Sequence, residues 1–212
     1  TERDTAMPFM TKYREYTISD YFSEMSMGKF DVIGDEYSVT LPLTSDQYRA
    51  LGYNCAHINS QAIRMADSIY NIDFSLYNNW SSDGINWYWS PGGGDNIVDM
   101  IVMDYRRVPG YPENLWFINV GIPASGISDL GLIQNFVLDS TLVNSMSGVT
   151  CLNLMRNYSR MTNIMIHEMS HRYFFGHVEL GLMTGAEHSS LTLSPRERLD
   201  LGYVTPQTIS YP

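Results

Sequence analysis

Residues 167–177 read HEMSHRYFFGH. This stretch holds three of the chain's 5 histidines, together with a glutamate. His167 and His171 are four apart, which on a helix leaves them about 40° apart around the axis, on one face. Two imidazoles so placed can grip one zinc ion. Met165, Ile166, Met169 and Tyr173 fall on roughly the opposite side. The spacing therefore predicts a helix over 158–175 with an apolar back for a core and a histidine front for a cleft. Glu168 follows the first histidine directly, where it is poorly placed as a ligand but can reach a water on the metal. A catalytic zinc takes a third protein ligand and keeps a fourth position open. His177, six residues past His171, would point about 120° away on a continuous helix. Gly176, able to take positive φ, is the residue that can break the helix and turn His177 back.

The rest of the composition bounds what such a site can serve. The chain has 212 residues, 44% hydrophobic, 17% charged and 13% aromatic, with a formal net charge of −10. That describes a folded chain with a polar surface, long enough for one domain or one domain of two lobes. No basic run is present, so nucleic acid and anionic membrane are excluded as expected partners. No apolar run reaches membrane-spanning length. The opening TERDTAMPFM is polar and lacks the apolar core of a signal peptide, so a mature or trimmed form is expected. Cys55 and Cys151 are the 2 cysteines; one disulfide and two buried thiols both fit their separation.

Outward from the motif, residues 19–27 read as a short helix with Ser19 as its cap and Tyr21, Phe22 and Met25 on its apolar side. Residues 28–42, GKFDVIGDEYSVTLP, alternate as one or two strands. Residues 57–70 form an amphipathic helix, with Ile58, Ala62, Ala66 and Ile69 at helical spacing and His57 capping or flanking it. Residues 96–106 and 115–122 are β-branched strands. Glycine-rich loops are expected over 78–95 and 121–131. In the first region Asp83, Asp95 and Asp99, with Asn78, Asn79 and Asn96, could supply oxygen ligands for calcium, but the EF-hand spacing is absent and a solvated loop is the preferred reading, with calcium the alternative. Residues 194–203 form a terminal helix, capped by Ser194, entered at Pro195 and stopped at Gly202.

With its third histidine, the motif resembles that of the metzincin metalloproteases, HExxHxxGxxH followed by a methionine turn. His167, His171 and His177 match its three ligands in register, Glu168 its general base, and GLMTG (181–185) its turn, with Met183 under the metal. The chain is more closely similar to the immune inhibitor A-like peptidases. SDYFSEMSMGKFDVIGDEYSVTLP, GGGDNIVDMIVMDYR and GLMTG…LSPRERLDLGYVTP match their successive segments. It departs from the pattern at Phe174, where the glycine usually stands, and at His177, where those relatives commonly carry aspartate.

The resemblance implies an α+β, metzincin-like zincin fold. Its parts are a twisted mixed sheet, a backing helix, an active-site helix and a smaller, irregular C-terminal lobe. The whole of 1–212 would be one catalytic domain, with an upper lobe to about 177 and a lower lobe over about 178–212. It also implies a secreted zinc endopeptidase acting on protein or peptide, with residues 114–126 as the strand and rim beside the substrate. Two alternatives stay open. One is a thermolysin-like site whose third ligand is Glu187 or Glu197. The other is a zinc-containing binding or toxin-like domain with little hydrolysis. His188 is read as a bystander. Oligomeric state is not legible.

Overall fold

The fold is that of a computed structural model. It describes residues 18–82, 87–89, 93–105, 127–128, 133–144, 150–153, 166–167, 169–170, 198–199 and 205. The chain divides into two compact units, Thr1–Glu36 with Tyr158–Pro212, and Tyr37–Asn157.

In the first unit, helix α1 spans Ile18–Met25 and buries Ile18, Ser19 and Phe22. Ser19 thus lies inside the helix instead of capping it as its sequence position suggests. Phe22 packs edge-on against Tyr21 and Phe30, with ring centroids 5.2 and 5.6 Å apart. The chain leaves α1 through two left-handed residues, Met27 at φ 58° and Gly28 at φ 76°. The Gly28 N–H donates to Ser23 O at 2.7 Å, and the Ser26 hydroxyl accepts from Phe30 N at 2.9 Å. These bonds satisfy groups that the helix end leaves unpaired.

The expected strand over 28–42 is not found: residues 30–41 pair with no strand among the described residues. The alternation nevertheless has a structural meaning. Val39, Leu41 and Leu43, all odd-numbered, pack against the core of the second unit. Period 2 reports which side of an extended chain faces apolar surface; it does not report whether a neighbour supplies the ladder.

The second unit is organised around two helices. Helix α2, Ser45–Ala50, is entered through a capping box in which Thr44 Oγ1 accepts from Gln47 N and Gln47 Oε1 accepts from Thr44 N. Helix α3, Cys55–Tyr70, starts two residues before its apolar periodicity suggests. Its first turn is closed by a capping box: Asn54 Oδ1 accepts from His57 N at 3.2 Å, and His57 Nδ1 accepts from Asn54 N at 3.4 Å in return. Cys55, Ile58, Asn59, Ala62, Ile63 and Ala66 form its buried stripe, the spacing by which a helix covers a core. Tyr48, Ile72, Phe74, Val98, Tyr105, Ile133, Phe136 and Val143 complete that core. Each fully buried aliphatic or aromatic side chain contributes about 1.5–3 kcal/mol relative to exposure.

The strands are short. Strands β1 (Trp80–Ser82) and β2 (Trp87–Trp89) pair antiparallel, with Trp80 opposite Trp89, inside the region expected to be loop. Strand β3 covers Val102–Tyr105, β4 Ile127–Ser128, β5 Phe136–Leu138, β6 Thr141–Val143 and β7 Thr150–Asn153. A mixed sheet has the order β3-β7-β4, parallel between β3 and β7 and antiparallel between β7 and β4. The strand expected over 96–106 is divided. Ile97 bridges to Leu142, and regular pairing resumes only at Val102. Strands β5 and β6 form a hairpin turned by Asp139 and Ser140, both at positive φ, 48° and 65°. That is the conformation a two-residue turn needs to follow strand twist. Residues 115–122, most of 158–175 and most of 194–203 lie outside the described residues.

Candidate metal centre

Ile166, His167, Met169 and Ser170 are helical, in agreement with the helix expected there. At 100° per residue these four cover an arc of about 160° around the axis. All four are buried, His167 to 3% exposure and Ser170 completely. The apolar back of the helix, Ile166 and Met169, is therefore continuous with the edge that carries His167. An imidazole so enclosed is held in one orientation and poorly hydrated, which suits a nitrogen donor to zinc. The Ser170 hydroxyl, one turn beyond His167, is buried and has no hydrogen-bond partner among the described residues. A buried hydroxyl in that state costs about 1–3 kcal/mol, so it is a place where a polar neighbour would be favourable.

Glu168, His171, His177 and Met183 lie outside the described residues, as do Glu187, His188 and Glu197. Among the described residues no group of three or more His, Cys, Asp or Glu side chains converges. Of the expected donor set, His167 alone is among the described residues.

The 78–99 region is held by its own polar groups. Asp99 Oδ2 accepts from Asn79 N at 2.7 Å, and Oδ1 from Trp80 N at 2.9 Å. Asp95 Oδ1 accepts from Ile97 N at 3.0 Å, and Asn78 Oδ1 from Asn96 N at 3.1 Å. Gly94 lies so close to the Asn78 side chain that a Cβ there would collide with its Oδ1. Burial pushes the Asp99 carboxyl up to about 6 despite the three N–H groups around it, with Asp95 adding to the rise. Asp83 lies outside the described residues. The described carboxylates therefore clip the start of β1 to the chain ahead of β3.

Cys55 is a free, buried thiol. Its sulfur accepts from Asn59 Nδ2 at 3.3 Å, and Asn59 Oδ1 in turn accepts from the Tyr105 hydroxyl. Cys151 stands opposite Met103 in the β3–β7 register.

One feature was missed by reading the sequence for metal ligands. An open groove of about 380 Å³ runs along α3, lined by His57, Gln61, Arg64 and Ser68, with Tyr53 and Gln134 at its sides. Its signal was a polar stripe at positions 57, 61, 64 and 68, helically spaced on the side away from the apolar one.

No helix among the described residues is long and apolar enough to cross a membrane. No family model, curated protein or solved structure matches the chain.

Proposed function

We propose that the protein is a zinc-dependent endopeptidase of metzincin type, similar to the immune inhibitor A-like peptidases, with His167, His171 and His177 as ligands. The observation that carries this reading is the motif itself: HExxH with a third histidine in metzincin register. Its first ligand is buried at 3% exposure on a helix. Zinc bound there would polarise the scissile carbonyl and lower the pKa of a water toward ~7. Glu168 takes the proton from the attacking water and returns it to the leaving amine. Met183 packs beneath the site as structure. The substrate is a protein or peptide, and the acidic, weakly charged chain suits an extracellular setting, with neither nucleic acid nor membrane as partner. The α+β zincin arrangement, a single catalytic domain with lobes meeting near residue 177, belongs to the same proposal.

Unfolded casein, incubated with the protein with and without a chelator across pH 5–9, tests the reading. Chelator-sensitive cleavage that disappears in Glu168→Ala supports it. Absence of cleavage by zinc-loaded protein would favour the binding-domain alternative instead.

A further inference from the structure

The groove along α3 has a chemistry of its own. Among the described residues its lining contains no carboxylate, in a chain of net charge −10. Arg64 lies 4.1 Å over the Phe136 ring centroid. This cation–π contact fixes the guanidinium plane without using its N–H edges. Among the described residues no ion pair engages Arg64; the pair that α2 makes is Arg49 with Asp46. Gln61 accepts the Tyr48 hydroxyl on Oε1 at 2.7 Å, which leaves its amide N–H groups as donors. The His57 ring is stacked on Tyr53, 5.1 Å between centroids and 28° between planes. Its Nδ1 lies 2.6 Å from Asn54 Oδ1. The same Nδ1 accepts from Asn54 N at 3.4 Å, the return bond of the capping box. Gln134 is tied to the helix through its own N–H, which donates to Ser60 Oγ at 2.8 Å.

The groove therefore presents one cation held against an aromatic ring, amide donors and an imidazole, spaced along a helix face. His57 and Arg64 are two turns apart, about 10 Å at 1.5 Å per residue. That equals about three residues of extended chain at ~3.3 Å each. The groove is open along its length, whereas a small-molecule site encloses most of its ligand.

We propose that this face of α3 binds an extended peptide segment bearing an acidic side chain. The carboxylate pairs with Arg64, and the Gln61 amide, one turn away on the same face, donates to a peptide carbonyl. The proposal is independent of zinc and of turnover.

The test is fluorescence anisotropy of the full chain with a labelled Gly-Ser-Ala-Glu-Ala-Ser-Gly peptide and its Gln counterpart, with peptide integrity checked by mass spectrometry. The expected result is that the Gln peptide and the Arg64→Gln variant each bind about tenfold or more weakly. Arg49→Gln should bind as the wild type does. Because Arg64 also packs on Phe136, Ser68→Glu serves as a second variant. Ser68 is exposed, and a carboxylate there should repel the peptide to a similar extent. Equal affinity for the two peptides, unaltered binding by both groove variants, or no binding at millimolar peptide overturns the proposal. Displacement of the peptide by acetate at equal concentration would reduce the groove to a general anion site and overturn it as well.

Discussion

Two histidines on two helices of this chain have opposite surroundings. His57 stands in the first turn of α3, half-buried, closing a capping box with Asn54 and lining an open groove. His167 stands on its helix at 3% exposure, at the edge of a buried arc that also holds Ile166, Met169 and Ser170. An imidazole at a helix start needs only a local partner and keeps access to water. A buried one must be oriented by whatever surrounds it, and that rigidity is what a metal site requires. The same residue type is thus a structural cap in one place and a candidate ligand in the other. The neighbours decide which.

The largest effect should separate the two regions by function. Glu168→Ala is expected to lower casein turnover by about 10²–10⁴-fold while zinc content and melting temperature stay near wild type. His57→Ala should leave turnover unchanged. Loss of zinc together with activity in Glu168→Ala would make Glu168 a ligand and not a base.

The next effect belongs to the second unit's packing. Ile58, fully buried beneath α3, should cost about 2–5 kcal/mol on replacement by alanine, from lost transfer energy and the cavity left behind. Ile69, on the exposed side of the same helix, should cost under about 0.5 kcal/mol. Urea unfolding of the two variants measures the difference, and similar values would contradict the orientation of α3.

A smaller effect tests the cap. Asn54→Ala removes the acceptor for His57 N and the partner of its ring, and should destabilise by about 0.5–2 kcal/mol in the same assay. Turnover should be unaffected.

The subtlest effect is in pH. Asp99 titrates near 6 in the fold, above its ordinary 3.8, so the folded state holds that proton more tightly than the unfolded chain. Its contribution to stability is complete below about pH 4 and is lost as pH rises through 6. Urea midpoints between pH 4 and 6 should carry a falling component that Asp99→Asn removes. A component of the same size in the variant would assign it to other groups.

These contrasts also mark what the sequence made legible. Helix α3 was legible because Ile58, Ala62 and Ala66 recur at helical spacing and one face is buried. Its first turn was not, because histidine replaces the usual Glu or Gln in the capping box. The β5–β6 hairpin was hidden for a similar reason: Asp139-Ser140 turns it where Asn-Gly or Asp-Gly is the recognisable signal. The 28–42 alternation was legible as sidedness and misread as pairing, since hydrogen-bond partners lie elsewhere in the chain. The Trp80–Trp89 pairing was obscured by the glycines and aspartates around it. At the candidate metal centre, His167, Glu168 and His171 were legible as a local pattern. The enclosure of His167 was not, because burial is set by contacts that spacing does not encode. The groove was overlooked because its residues line one cavity only after Phe136 and Gln134 are brought beside α3.

Zinc per chain, measured by elemental analysis after zinc loading and dialysis, tests the central claim most directly, with wild type beside His171→Ala and His177→Ala. The account predicts about one zinc in the wild type and strongly weakened retention in both variants. A wild type that retains no zinc would contradict the metal centre outright. Full retention in His177→Ala alone would move the third ligand to Glu187 or Glu197 and contradict the metzincin reading.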